Sequence, residues 1–252
     1  FLSICYTINY MTSSLPEEFI PTMVASALLM LSLVWLIFNH AINPLSFSNQ
    51  KKLLLSYSIA VGLLIWFAIA YPFSQKGSFL NISFNFLPNI GFLFLPMIIG
   101  VTILSKSNTF KTIVDALPQH WLIGVQVMRV MGVSFLYLYS INLMPAEFAI
   151  PAGVGDIFIG STAPLVAYLF FLQKPYANKL ALAWNIAGFG ELTLAIILGF
   201  FTSPLPYQLL AFKNPNNLLF AFPLALIPTF VLPLYLLLHI FSIRILLKKQ
   251  QK

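Results

Sequence analysis

Charge is what this chain has least of: Asp, Glu, Lys and Arg make up 8% of its 252 residues, where a soluble domain carries about a quarter. Beside 60% hydrophobic residues, that scarcity excludes a water-solvated surface for most of the chain and makes lipid the implied solvent. Cysteine is almost missing. Cys5 alone excludes an intramolecular disulfide, and no Cys or His spacing suits a zinc site, so no metal or thiol chemistry is expected. Acids are fewer than bases, six against thirteen. The basic residues stand in pairs at the ends of apolar runs, not on one soluble face, so the bilayer is the expected partner and nucleic acid is not. Also absent are a GxSxG elbow, an HExxH helix and a P-loop. The last apolar run has no lysine before Lys248, which excludes a retinal-type Schiff base there. No cofactor is implied, and the balance leans away from an enzyme.

What the chain does have is long apolar runs. Windows of about 20 residues place seven spans near 19–39, 53–73, 84–105, 121–143, 151–172, 180–201 and 218–246. The expected fold is all-α, a bundle of seven transmembrane helices. Residues 17–247 form the single domain, 1–16 an N-terminal extension and 248–252 a basic tail. Phe1 to Tyr10 precede Met11 and are expected to belong to a fragment or to lie upstream of the true start. In alternate flanks, Lys51, Lys52, Lys106, Lys111, Lys174, Lys179, Arg244, Lys248, Lys249 and Lys252 fall on one side, and Lys76 and Lys213 on the other. The positive-inside rule then puts the N-terminus outside and the C-terminus in the cytoplasm of a cell inner membrane.

Between spans three and four, Phe110, Ile113, Val114 and Leu117 follow helical spacing, with Ser107 or Asn108 as cap and Pro118 as stop. A short amphipathic helix on the inner leaflet is expected. Pro223, Pro228 and Pro233 are expected to kink the last span, because each lacks an N–H for the helix ladder. The outer loop TSPLPYQLLAFKNPNN is either a lid or an ordinary connector. No internal repeat of the kind many transporters carry is visible.

Three charged residues fall inside spans: Arg129, Asp156 and Glu191. Such groups are costly in lipid and are functional candidates for that reason. Helical rise puts Arg129 roughly 12 Å and Glu191 roughly 16 Å above the inner edge, with Asp156 roughly 8 Å below the outer edge. Consecutive antiparallel helices pack side by side, so the three side chains are expected to meet, with Arg129 pairing first with Glu191. Gly153, Asp156, Gly160, Ala163 and Ala167 recur at spacings of three and four, which gives one small-residue face that must meet protein. Gln126 and Asn185 are further hydrogen-bond partners. One guanidinium and two carboxylates leave negative charge in excess, and Asp156 or Glu191 is the expected exchangeable proton site. The bland alternative is an ion network that only sets helix register.

The segment GVGDIFIG at Gly153 to Gly160 resembles the GxGD motif of intramembrane aspartyl proteases such as presenilins and signal peptide peptidases. Phe222 to Leu226, FPLAL, resembles their Pro-Ala-Leu element. That chemistry needs a second aspartate on the preceding helix, where this chain offers Arg129. A broader resemblance, at Arg129 to Gly132, at PAGxGDxxxGxxAP from Pro151 to Pro164 and in the proline-rich last span, is to uncharacterised bacterial integral membrane proteins. It implies a seven-helix bundle and no activity. His40, His120 and His239 are expected near the cytoplasmic ends of spans one, four and seven, where haem or metal would find few facing ligands. The reading that results is a small-solute or proton-linked transporter centred on Arg129, Asp156 and Glu191. The alternative is a non-transporting sensor or partner subunit with a structural charge network.

Overall fold

The structure, a computed structural model, describes residues 15–75 and 86–250. Cys5, most of the N-terminal extension, Lys76 and the last two residues of the basic tail lie outside the described residues. Helix follows helix with no strand among the described residues: α1 (Phe19–Ile42), α2 (Asn49–Gln75), α3 (Phe86–Lys106), α4 (Asn108–Asp115), α5 (Gln119–Gly124), a 3-10 stretch (Val125–Gly132), α6 (Val133–Ser140), α7 (Ala146–Phe171) and α8 (Ala177–Thr202). A 3-10 turn (Leu218–Phe220), a π turn (Ile227–Val231) and α9 (Leu232–Gln250) complete the chain.

Six of these segments are long and apolar enough to cross a membrane: α1, α2, Gln119–Ser140, α7, α8 and Ile227–Lys249. The chain is therefore a multi-pass membrane protein. α3 occupies the place expected for a further span. Lipid offers no water to backbone groups, so helix, which bonds them within the segment, is the form these runs take. α7 carries Pro151 and Pro164 within its length and starts at Ala146, five residues before the boundary expected from the apolar window.

The last span differs most from expectation. It begins at Ile227, not at 218: Leu218–Phe220 is a 3-10 turn, Ala221 is extended, and the π turn follows. Pro223 thus precedes the span, Pro228 stands at the start of the π turn and Pro233 in the first turn of α9. A residue without an N–H belongs in a first turn, where the donor has no partner anyway. The outer loop is held to the end of α8, with Leu209 and Leu210 N–H donating to Phe201 O and Asn216 N–H to Thr202 O.

α4 forms where the amphipathic spacing indicated. Its N-cap is Ser107, whose Oγ accepts from Phe110 N–H at 3.2 Å, and its apolar face buries Ile113 and Val114. Asp115 at its end pairs with Arg244 at 3.3 Å and with Lys248. His40 stacks on Trp121 and His120 meets Phe171 at the same end of the bundle. The basic residues of α4 and α9 and of the short connections near them thus share one face.

α7 is the centre of the packing, held between α5 to α6 on one side and α8 on the other. Small residues make this contact close. A methyl group on Gly160 would stand 2.5 Å from Val130 N, and one on Gly153 3.0 Å from Gly132 O. The backbones of α7 and the 3-10 stretch therefore touch directly, as small-residue faces allow between membrane helices.

Candidate functional site

The 3-10 stretch has three residues per turn, which stacks Gln126, Arg129 and Gly132 along one buried line. Arg129 is 1% exposed and is the largest fully buried side chain among the described residues. A guanidinium in that position needs partners, and three helices supply one or more to each of its nitrogens. Arg129 Nε donates to Asp156 Oδ1 of α7 at 2.7 Å. Nη2 forms an ion pair with Glu191 Oε2 of α8. Nη1 donates to Gly188 O at 3.3 Å and faces His239 Nε2 of α9 at 3.4 Å. The Tyr235 ring lies 6.0 Å from the guanidinium carbon.

Hydrogen-bond direction fixes the state of His239. Arginine only donates, so Nε2 accepts and the ring proton sits on Nδ1, which donates to Asn185 Oδ1 at 2.9 Å. Asn185 Nδ2 donates to Ala181 O at 2.7 Å, which sets the amide the right way round. His239 is thus neutral, and the cluster holds one guanidinium and two carboxyl groups. Trp184 covers it, its ring 5.7 Å from His239 and its Nε1 donating to Thr162 Oγ1 at 2.9 Å. Glycine is required beside this centre: a methyl on Gly188 would fall 2.6 Å from the His239 ring, and one on Gly155 2.5 Å from Glu191 Cγ.

The two acids are similarly exposed, 18% for Asp156 and 13% for Glu191, and differ in the cavities they line. Two cavities of about 60 Å3 each meet at Asp156 and share Phe135, Ile227 and Tyr235 as walls. Each has room for several waters, at about 10–15 Å3 apiece. The first, between α1, the 3-10 stretch and the start of the last span, also reaches Arg129, Ser26 and Ser134. Glu191 lines neither. On the other side of the cluster, polar side chains continue toward the basic face. On α9, Tyr235, His239 and Ser242 fall on one stripe, and Gln119 Nε2 donates to Ser242 Oγ. Between these levels Gln126 is 1% exposed, and neither of its amide atoms has a hydrogen-bond partner among the described residues.

Arg129, Asp156 and Glu191 therefore come together, and Asn185 joins them through His239. Gln126 is buried one 3-10 turn away and bonds to none of them. The three histidines do not share a level. His40 and His120 lie at the basic end, whereas His239 is 0% exposed in the middle of its helix. The misplacement comes from starting the last span at 218: counted from Ile227, His239 stands near mid-membrane, and it is the one ionisable side chain other than Tyr235 in that run before Arg244. Gly188, which contributes only a carbonyl, carries no such signal. The other aspartate, Asp115, sits at the basic end with Arg244 and Lys248, so Asp156 has no partner of the kind an aspartyl dyad needs.

A family model described as a domain of unknown function (DUF8737) matches residues 87–247, a range that contains every residue of this cluster. No curated protein and no solved structure matches the chain.

Proposed function

The chain belongs to the DUF8737 family, and from that premise we propose that it is a small proton-linked carrier whose exchangeable proton resides on Asp156. The proposal includes seven spans, with α3 as the third, in a cytoplasmic membrane. The basic face lies inside and the N-terminus outside, as the positive-inside rule requires. The observation that carries it is the double role of Asp156, which holds Arg129 Nε and also walls both cavities. Arg129 can balance one carboxylate, and the second is balanced by a proton. Glu191, paired with Nη2 and away from the cavities, is the permanent counter-ion; Asp156 is the acid that water reaches. Arg129, partly uncovered when Asp156 is protonated, would then hold an anionic solute group. Gln126, Gln119 and Ser242 support the reading as polar stations between the cluster and the basic face.

Infrared difference spectroscopy on the reconstituted protein between about pH 5 and about pH 9 tests it, a range above the titration of an ordinary carboxyl, so that only a carboxyl holding its proton in the cluster registers. A carboxyl C=O band that titrates and disappears in Asp156→Asn is expected, together with proton-coupled solute flux in proteoliposomes that the same substitution removes. A spectrum with both carboxylates ionised throughout refutes it. The close glycine contacts of α7 favour a second reading, a sensor or partner subunit in which the charges set helix register. That reading expects a silent titration and loss of folding, not of flux, when the cluster is altered.

A further inference from the structure

α2 is held to the bundle mainly along α1, and it stands apart from α3 across a groove of about 800 Å3 floored by α1, α4 and α9. The walls are almost wholly apolar, with Leu55, Ile59 and Leu63 facing Ile99 and Ile103. Lys51 is the one charged residue that lines it, and it lies at the basic end together with the hydroxyl side chains of Ser107 and Thr109. A large apolar pocket with a few polar groups at one mouth is the form of a binding site for an amphiphile.

We propose that this groove holds an anionic phospholipid, one acyl chain between α2 and α3 and the phosphate against Lys51. This is independent of any transport activity. Three observations select that occupant. The lone charge is positive and sits at the membrane-surface end of the groove, where a lipid headgroup lies. From Ser107 back to Leu95 the α3 wall covers about 18 Å of helix, a little over half the roughly 30 Å hydrocarbon layer, which is the reach of a chain from one leaflet. The walls are mostly Leu, Ile, Trp and Phe; glycine stands at 62 and 100 and Ser58 one turn before Gly62, so small residues make one turn of α2 and not a stripe along the groove. A docked helix would want a stripe of small residues, whereas a flexible chain conforms to branched ones. Gly62 shows how open the site is, because a methyl there would meet nothing within 4 Å.

Trp66 lines the groove and reports on it. The full chain is placed in nanodiscs of zwitterionic lipid containing either phosphatidylglycerol or phosphatidylcholine brominated toward the chain end. Trp66 emission is taken as the difference between wild type and Trp66→Phe. Brominated phosphatidylglycerol is expected to quench Trp66 about fivefold more effectively than brominated phosphatidylcholine, the ratio set by one lysine at an anionic headgroup. Lys51→Gln, at an exposed position, removes that preference. Gly62→Leu, which fills open space, lowers quenching by both lipids, and circular dichroism confirms that each variant keeps its helix content. Equal quenching by the two lipids in wild type means ordinary annular lipid only and overturns the proposal. So does a preference that survives Lys51→Gln, or a Trp66 shielded from both lipids by a second copy of the chain cross-linked across α2 and α3.

Discussion

Replacing Gly160 by alanine is the sharpest test of how the cluster is built. The added methyl would stand 2.5 Å from Val130 N and 3.0 Å from Arg129 C, both backbone atoms. No rotamer change relieves a backbone contact. Ordinary contact begins near 3.4 Å, so α7 and the 3-10 stretch must part by roughly 0.9 Å. Overpacking of this kind costs about 1–3 kcal/mol. Alanine returns up to about 1 kcal/mol of helix propensity, which leaves a net loss of up to about 2 kcal/mol. Gly190 on α8 is the matched control, because it is exposed and a methyl there meets nothing within 4 Å; its substitution yields the propensity gain alone. The propensity gain is common to both, so the two identical changes should differ by the overpacking cost, roughly 1–3 kcal/mol, in reversible unfolding in mixed detergent micelles followed by circular dichroism. The same shift would stretch the 2.7 Å Arg129–Asp156 bond beyond hydrogen-bond range, so Gly160→Ala should alter the carboxyl infrared band and Gly190→Ala should not. Equal stability of the two variants would refute the direct backbone contact between α7 and the 3-10 stretch.

Arg129→Met leaves Asp156 and Glu191 buried without a cation and should cost about 3–5 kcal/mol; adding Asp156→Asn and Glu191→Gln should return most of that loss in the same unfolding assay. His239→Phe strands Asn185 Oδ1 and should cost about 1–3 kcal/mol. A double-mutant cycle with Asn185→Leu should show a coupling of about 0.5–3 kcal/mol, and additive effects would remove the His239–Asn185 bond from the account. Asp115→Asn, whose partner Lys248 is half exposed, should cost under about 1 kcal/mol and nothing measurable at high salt, since exposed pairs are screened.

The pattern of apolar runs determined by itself that this chain crosses a membrane several times, because lipid punishes an unpaired backbone so heavily that composition alone selects helix. The same penalty made Arg129, Asp156 and Glu191 legible, since three charges inside apolar runs have to meet one another. The α4 helix was legible from its spacing and cap. Tertiary structure decided the rest. Three prolines placed close together do not say whether they bend a span or precede it, and that choice moved His239 from the membrane edge to the middle of the cluster. Backbone contacts such as Gly188 O leave no mark in composition. Nor does one-dimensional spacing show which acid faces a cavity: Asp156 and Glu191 are alike as residues, and only the way α1, α8 and the last span close around them puts Asp156 in the walls of two cavities that Glu191 does not line. Hydrophobicity is a property of each residue and can be read along the chain, whereas access is a property of the space left between helices and exists only after they have packed.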